Sequence, residues 1–205
     1  MSPTEGPPAV DVLRTAYREQ LLEIAALDLT SGDPLVSLPE TAAALADLAQ
    51  AALEAALVIA RDEVGADAGR ARLAVIAMGK TGGRELNYIS DVDVIFVAEP
   101  ADGVPEDEST AIATDLATRL MRICSASTAT GALWQVDPAL RPEGKNGPLV
   151  RTVASHRSYY ERWAKTWEFQ ALLKARPVAG DAEVGQAYCD AVQPMVWQAS
   201  TRENF

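Results

Sequence analysis

The stretch from Leu73 to Glu99 constrains the fold and function of this chain more than any other part of its sequence. An apolar run from Leu73 to Met78 ends at a glycine-rich segment, Gly79-Lys80-Thr81-Gly82-Gly83. After a short polar segment, a second apolar run, Val94-Ile95-Phe96-Val97, begins. Short apolar runs bounded by turn residues are typical of buried strands. The stretch therefore predicts two strands connected through a glycine-rich turn.

Two aspartates lead into the second strand. Because side chains alternate between the faces of a strand, Asp91 and Asp93 are expected to point the same way, with Val92 and Val94 facing the core. Adjacent carboxylates repel each other, and a divalent cation is the usual compensation; Mg²⁺ favours one or two carboxylates plus phosphate oxygens. The glycine-rich turn offers backbone N–H groups that a phosphate can approach closely. Together these features predict metal-dependent chemistry on a nucleotide.

Each motif alone has an ordinary alternative. An Asp-x-Asp pair at the start of a strand often only caps a turn or faces solvent, and most Gly-Gly pairs are simple turns. The order strand, Gly-Gly, Ser-Asp-x-Asp, strand within one short span is far more specific, and it favours the functional interpretation.

Three segments of the chain resemble a known enzyme family. They are AMGKTGGRELNYISDVDVIF from Ala77, WQVDPALRPEGKNGPLV from Trp134, and YYERWAKTWEFQALLKARPVAGD from Tyr159. The first is similar to the signature GMGKxGGxELNxxSDxDxIF of the glutamine synthetase adenylyltransferase/deadenylylase enzymes, which belong to the polymerase-beta-like nucleotidyltransferase superfamily. The resemblance covers Leu73 to Asp181 in detail and the preceding helical stretch more loosely.

The resemblance implies an α+β fold in which a polymerase-beta-like nucleotidyltransferase sheet is flanked by helices. We expect four parts along the chain: a disordered lead-in at residues 1–8, an N-terminal helical segment at 9–66, the nucleotidyltransferase domain at 67–152, and a C-terminal helical subdomain at 153–205. The chain end after Ala199 lacks a helix stop signal and looks cut from a longer chain.

The resemblance also assigns site residues. Catalytic and metal-binding roles fall on three aspartates, Asp91, Asp93 and Asp137. Phosphate or nucleotide contacts fall on Gly82, Gly83, Ser90 and Arg141. The family often has VDxRLRP where this chain has VDPALRP, so Ala139 removes one possible phosphate contact. For Arg141, a surface ion pair stays open as the alternative.

As the resemblance implies, full-length enzymes of this family contain two nucleotidyltransferase halves. One half transfers AMP from ATP to a tyrosine of glutamine synthetase, and the other removes it by phosphorolysis, releasing ADP. Gly147-Pro148-Leu149-Val150 is more similar to the N-terminal, adenylyl-removing half. Two alternatives stay open: the adenylylating half, and a non-catalytic module that senses nucleotide or docks a regulatory protein.

The implied cofactor is Mg²⁺, and the implied partners are glutamine synthetase with its adenylylated tyrosine, a nucleotide and inorganic phosphate. A nitrogen-signalling regulatory protein is a further candidate partner. The net charge of −11 argues against nucleic acid, which needs a basic surface. No apolar segment is expected to span a membrane, and two widely spaced cysteines, Cys124 and Cys189, indicate buried thiols in a reducing cytoplasm.

Hydrophobic spacing predicts the remaining elements. Helices are expected from Val10 to about Asp28, from Pro39 or Glu40 onward, and from about Glu106 to Ser125. Their apolar faces are predicted to serve packing only. A strand is expected at Leu133–Asp137, and a tight turn at Gly144–Gly147 is expected to join two strands.

From Ser155 the pattern predicts helix to the end of the chain, interrupted at Pro177 and Gly180-Asp181. The apolar residues expected to pack this part onto the sheet are Trp163, Trp167, Phe169, Leu172 and Leu173. The charged residues Glu168, Lys174 and Arg176 are interpreted either as one structural ion-pair network or as phosphate and tyrosine-loop contacts. The single histidine, His156, lies in a polar helix start, so triad chemistry has no support.

Overall fold

The structure is a computed structural model that describes residues 8–201. Residues 1–7 of the predicted lead-in and residues 202–205 of the predicted cut end lie outside the described residues. The helices are α1 (Ala9–Leu29), α2 (Pro34–Val64), α3 (Gly79–Gly82), α4 (Glu106–Ser125), α5 (Val153–Arg162), α6 (Thr166–Leu172) and α7 (Ala182–Ala199). The strands are β1 (Ala71–Ala77), β2 (Val92–Pro100), β3 (Val136–Asp137), β4 (Val150–Arg151) and β5 (Arg176–Gly180).

A mixed sheet of five strands lies at the centre of the molecule. Its order is β3-β2-β1-β5, and β4 also pairs with β2. The long central pair is antiparallel and runs from Ala71 opposite Pro100 to Ala77 opposite Val94. This mixed helix-and-sheet architecture agrees with the α+β class predicted from sequence.

The strict alternation of the central strands builds two cores, one on each face of the sheet. Leu73, Val75 and Phe96 pack with helices α1, α2 and α4 on one face. Ile76 and Ile95 pack with α5, α6 and α7 on the other. Because the two strands are apolar almost continuously from Leu73 to Ala77 and from Val94 to Ala98, both faces of the sheet are covered.

Helix α2 begins earlier than its sequence suggested. Its first residue is Pro34, and the carboxylate of Asp33 caps it by accepting a hydrogen bond from Leu35 N at 3.0 Å. Pro39 lies inside the helix instead of starting it. Proline removes one hydrogen bond in such a position, so sequence reasoning treated it as a boundary.

The helical stretch Pro34–Arg70 is long and apolar enough to span a membrane, by length and composition alone, because an 18-residue window within it has a mean hydropathy of 1.6. The expectation that no segment reaches this length is therefore corrected. Much of this apolar surface is used inside the protein, because α2 contributes eight buried residues to the core, including Leu53 and Leu57.

Two predictions about the smaller strands were wrong. Residues Arg176–Gly180, expected to interrupt helices, form a strand antiparallel to β1 with an irregularity in its register. The segment at Gly144–Asn146 forms a 3₁₀ turn, and the strands on either side of it do not pair with each other. Instead, β3 and β4 both pair with β2 in parallel, one after the other.

Packing of the C-terminal helices also differs in part from the prediction. Phe169 and Leu172 are buried in the second core, as expected. Trp163, Trp167 and Leu173 are instead exposed, by 72%, 52% and 50%. The buried aromatic contacts come from Tyr160 and Tyr188, which flank the ring of His156.

Candidate active site

The Asp-x-Asp pair lies at the start of β2, where the strand emerges from the core. Val92 and Val94 are fully buried, as the alternation predicts. Asp93 between them is half-buried, and Asp91 is exposed just before the strand. The sheet therefore ends in a carboxylate that is partly withdrawn from water.

Asp137 lies beside this carboxylate on the neighbouring strand. In the parallel pair of β2 and β3, Asp93 is the register partner of Asp137, and Val92 is the partner of Val136. The Asp137 carboxylate accepts a hydrogen bond from Ala139 N at 2.7 Å, which fixes its orientation as the chain leaves the strand. The structure thus brings the second and third predicted aspartates together.

The pKa of the Asp93 carboxyl group reflects its burial and the nearby carboxylates. Burial is the largest cause that raises the pKa of its carboxyl group, and the negative charges of Asp137 and Asp91 add to the rise. The ammonium group of Lys80 acts in the opposite direction. All three aspartates therefore interact, and a cation among them would relieve an unfavourable arrangement.

The glycine-rich segment is a single helical turn and not an open turn. Gly82 N donates to Met78 O at 2.8 Å, and Gly83 N donates to Gly79 O at 3.1 Å. Both N–H groups proposed for phosphate are therefore engaged inside the segment. Direct phosphate contact through them stays a prediction that requires these bonds to open.

The conformation of Gly79 and its close approach to Asp93 require a glycine at this position. Its φ of +50° is in the left-handed region, and a Cβ there would lie 2.7 Å from Oδ2 of Asp93. In addition, Met78 N donates to Asp93 O at 2.9 Å. Helix α3 therefore lies directly against the Asp93 carboxylate.

Ser90 lies on the loop between α3 and β2, with its hydroxyl donating to Asp91 O at 3.1 Å. Two side chains tether this loop to the N-terminal helices. Arg84 donates to both oxygens of Asp47, at 3.0 and 2.5 Å, and the Tyr88 hydroxyl donates to Asp28 at 2.8 Å. Ser90 is thus held near Asp91 at the site.

Within residues 8–201, Arg141 bonds to backbone carbonyls instead of forming a surface ion pair, and its contact with phosphate stays a prediction. Its guanidinium donates to three backbone carbonyls, those of Pro138, Gly147 and Pro148, at 2.8 to 3.3 Å. Its charge also interacts with Asp137. It therefore holds the loop after β3 in place.

The other charged residues singled out by sequence do not form one network. Glu168 is buried and accepts hydrogen bonds from Tyr159 and Lys165 N. Lys174 pairs with Glu85 at 2.5 Å. Arg176 binds backbone carbonyls of α3 and is considered below.

His156 is almost fully buried between aromatic rings, and burial lowers its pKa to about 4. Its Nδ1 contacts Thr152 O at 3.1 Å. The polar helix start expected from sequence is therefore enclosed, and His156 belongs to the core. Cys124 is buried as predicted, whereas Cys189 is only partly so.

Lys80 is a residue of this site that sequence reasoning left without a role. It is exposed, and its charge acts on Asp93. The signal was present, since it follows Gly79 directly within the glycine-rich segment.

The donor set fits Mg²⁺ in kind, because carboxylate oxygens are the ligands this hard cation prefers. Within residues 8–201, no three acidic, histidine or cysteine side chains lie close enough together to hold a metal ion as they stand. Asp91 is exposed and precedes the strand, so its side chain is free to reorient toward Asp93 and Asp137.

Comparisons with known proteins agree in pointing to one family. The family model described as glutamate-ammonia ligase adenylyltransferase matches residues 2–191. Three relatives are named bifunctional glutamine synthetase adenylyltransferase/adenylyl-removing enzyme: those of Streptomyces avermitilis (61% identical), Streptomyces coelicolor (62%) and Mycobacterium bovis (55%). The matches cover 94%, 94% and 98% of this chain and 19%, 19% and 20% of the relatives. The chain thus spans about a fifth of the length of these relatives.

Proposed function

Because the chain belongs to the glutamate-ammonia ligase adenylyltransferase family, we propose that it is a Mg²⁺-dependent nucleotidyltransferase domain of polymerase-beta-like type that removes AMP from a tyrosine of glutamine synthetase. The reaction is phosphorolysis, so inorganic phosphate is the second substrate and ADP is the product. The proposed setting is the regulation of nitrogen assimilation in the cytoplasm. Nucleic acid and membranes are not among the proposed partners.

One observation carries the proposal. A half-buried aspartate, Asp93, is in register with Asp137 on a parallel strand, and Asp91 stands two residues before it. Burial, followed by repulsion from Asp137 and Asp91, raises the pKa of Asp93, and neither has a structural benefit of its own. A cation-binding role explains why two acids are in register at the end of a buried sheet, with a third two residues away along the chain.

The choice between the two reactions rests on the resemblance of Gly147-Pro148-Leu149-Val150 to the adenylyl-removing half. The relatives' names include both activities and so do not distinguish them. Phosphorolysis also suits the residues at the site, because activating water requires a general base. The only histidine is enclosed in the core, and burial keeps it neutral.

In the proposed mechanism, Asp91, Asp93 and Asp137 hold Mg²⁺. Bound there, Mg²⁺ would neutralise the phosphodiester oxygens and assist departure of the tyrosine oxygen. Ser90, together with Gly82 and Gly83 once their N–H bonds to Met78 O and Gly79 O open, forms the phosphate-binding side of the site, and Arg141 keeps the loop after β3 in place. Inorganic phosphate forms the new P–O bond as the bond to tyrosine breaks, and the tyrosine oxygen takes up a proton. The protein contributes positioning and charge neutralisation, and no side-chain nucleophile is needed.

The test is incubation of the purified chain with adenylylated glutamine synthetase, phosphate and Mg²⁺, with the released nucleotide identified by chromatography. We expect ADP, and none without phosphate. AMP would indicate hydrolysis instead. Transfer of AMP from ATP to unmodified glutamine synthetase, with no release in phosphate, would identify the adenylylating half. Nucleotide binding without either reaction would identify a sensing module.

A further inference from the structure

Arg176 connects strand β5 to the glycine-rich helix α3. It is the register partner of Ala77, the last residue of β1, so its side chain starts beside the point where α3 begins. Its Nε donates to Gly82 O at 3.1 Å, and its NH2 group donates to Thr81 O at 3.2 Å. A single guanidinium therefore binds two consecutive carbonyls of α3.

Each of these two carbonyls shares a peptide group with the N–H of the following glycine. The carbonyl of Thr81 and the N–H of Gly82 lie in one rigid peptide plane, as do the carbonyl of Gly82 and the N–H of Gly83. By fixing both carbonyls, Arg176 fixes the orientation of the N–H groups of Gly82 and Gly83, which donate to Met78 O and Gly79 O within the segment. The planar fork of arginine suits this task, whereas lysine offers only a point charge.

A residue from helix α2 braces Arg176 from the other side. Gln50 accepts a hydrogen bond from its NH1 group at 2.5 Å. All three of these hydrogen bonds go to neutral oxygens, although the guanidinium is half-buried and burial lowers its pKa. Withdrawing a cation from water is costly, and an apolar side chain of similar size would avoid that cost.

Helix α3 is also seated tightly on the segment that carries Arg176. A Cβ at Gly82 would overlap the backbone oxygen of Lys174. On its other side, α3 meets the site, because Gly79 lies against the carboxylate of Asp93. A shift of α3 would therefore change the surroundings of the Asp93 carboxylate directly.

We propose that Arg176, braced by Gln50, is a positioning residue that holds helix α3 against Asp93 and sets the orientation of its last peptide groups. The inference rests on the proposed function for its catalytic consequence. Its structural part, the fixing of α3, stands on the contacts of Arg176 alone.

The test compares Arg176→Met with the parent chain in three measurements. Loss of two charge-assisted hydrogen bonds should accelerate amide exchange at Gly82 and Gly83 by at least about tenfold, while amides of β1 keep their protection. The affinity for ADP in the presence of Mg²⁺ should fall by at least about tenfold, as should kcat/KM for phosphate. Arg176→Lys should recover only part of either loss, because it keeps the charge without the fork.

Arg72→Met is the matched control. Arg72 also bridges the sheet to neighbouring elements, through Asp181 and Glu183, but from the opposite end of β1. It should change the melting temperature without changing exchange at α3, ADP affinity or turnover. Gln50→Ala should show the losses of Arg176→Met in weaker form. The double variant should lose no more than Arg176→Met, since Gln50 acts through Arg176.

The outcomes separate the inference from the proposed function. Unchanged exchange at Gly82 and Gly83 in Arg176→Met would overturn the inference, as would faster exchange with unchanged ADP affinity and turnover. If the parent chain releases no ADP from adenylylated glutamine synthetase, the proposed function fails. In that case, exchange and ADP affinity still decide the role of Arg176.

Discussion

The two carboxylates at the centre of the candidate site are positioned in different ways. Asp93 belongs to a strand that pairs with β1 from Val94 to Pro100, and the carbonyl of Asp93 itself accepts a hydrogen bond from Met78 N. Asp137 belongs to a strand of two residues, followed by another of two residues at β4. One side of the site is fixed by a backbone ladder, and the other has almost none.

Arginine side chains compensate on the weakly paired side. Before β3, the buried Arg14 of α1 donates to Ile123 O at 2.9 Å, to Ala126 O at 2.5 Å and to Thr128 Oγ1 at 2.6 Å. After β3, Arg141 binds the carbonyls of its own loop. The position of Asp137 thus depends on a few side chains, whereas that of Asp93 depends on backbone bonds that most substitutions leave intact.

The largest expected effect is on activity, and it tests the side of the site that carries Asp93 on β2. Asp93→Asn should lower kcat by at least about 10²-fold, because it removes charge where Mg²⁺ is proposed to bind. The fold should persist. Because the pKa of Asp93 is raised in the folded state, its carboxylate costs stability at neutral pH.

The free energy of unfolding at pH 7 should therefore be higher in Asp93→Asn than in the parent chain. The difference should shrink as pH falls toward 3.8, the ordinary pKa of aspartate, and disappear below it, because the carboxyl group is then protonated in both the folded and the unfolded state. Urea titrations at several pH values measure this. Parent-like turnover in Asp93→Asn would rule out the proposed metal site.

The next effect is on stability, and it tests the side of the site that carries Asp137 on β3. Arg14→Met should lower the free energy of unfolding by about 2–3 kcal/mol, because the buried carbonyl of Ile123 and the partly buried carbonyl of Ala126 lose a donor. Arg18→Met, one turn along the same helix, is the control and should change it by less than about 0.5 kcal/mol. Equal effects of the two variants in urea unfolding would contradict a special role for Arg14.

The stability of the protein should also depend on pH through His156, which lies in α5 just after β4. His156 contacts the carbonyl of Thr152, directly after β4, and its pKa is lowered to about 4 from the ordinary 6.5. The unfolded chain therefore binds the proton first, and stability should fall as pH drops from 6.5 toward 4. The loss should be on the order of 2 kcal/mol.

Lowering the pH thus has opposite effects on stability at the two positions. Protonation of Asp93 removes an unfavourable charge, whereas protonation of His156 destabilises its buried surroundings. His156→Phe should flatten the fall in stability between pH 6.5 and 4, which urea titrations across that range would detect. A His156→Phe variant whose stability falls as steeply as that of the parent chain between pH 6.5 and 4 would refute the assignment of a neutral, buried histidine.

The smallest expected effect concerns the loop after β3. Arg141→Lys loses the forked contacts to Pro138 and Gly147 and should lower kcat/KM by about five- to tenfold with little change in melting temperature. Lys145→Met, on an exposed position of the same loop, is the control and should behave like the parent chain. Indistinguishable kinetics for the two variants would show that Arg141 is not needed to position this side.

Sequence patterns predicted well the parts of the fold that depend on the long β1–β2 ladder. They predicted poorly the parts that depend on hydrogen bonds from arginine side chains. The strands β1 and β2 and helix α4 follow from their apolar spacing, and α4 has the predicted bounds of Glu106 and Ser125. Strand β5 was missed because its five residues include Pro177 and Gly180, which indicate a break when read locally. Its strand conformation depends on pairing with β1, which is distant in sequence.

The same division holds for the candidate site. The family resemblance grouped Asp93 with Asp137, and the structure shows them in register on neighbouring parallel strands. The roles of Arg14 and Arg176 were not anticipated, because an arginine that binds backbone carbonyls leaves no periodic signal and no matching acidic residue to find. Exposed Trp163 and Trp167 show the reverse error, since hydrophobicity alone does not fix which side chains are covered.

The parallel register of β2 and β3 has a consequence for the order in which the protein folds. Antiparallel β1 and β2 can meet once the short segment between them has closed, but β3 can join β2 only after the whole of α4 has crossed over. Since closing longer loops before contacts form slows folding, we expect the aspartates to meet late. Pulse-labelled amide exchange during refolding should therefore protect Val75 before Val136, and Mg²⁺ should slow unfolding without accelerating folding.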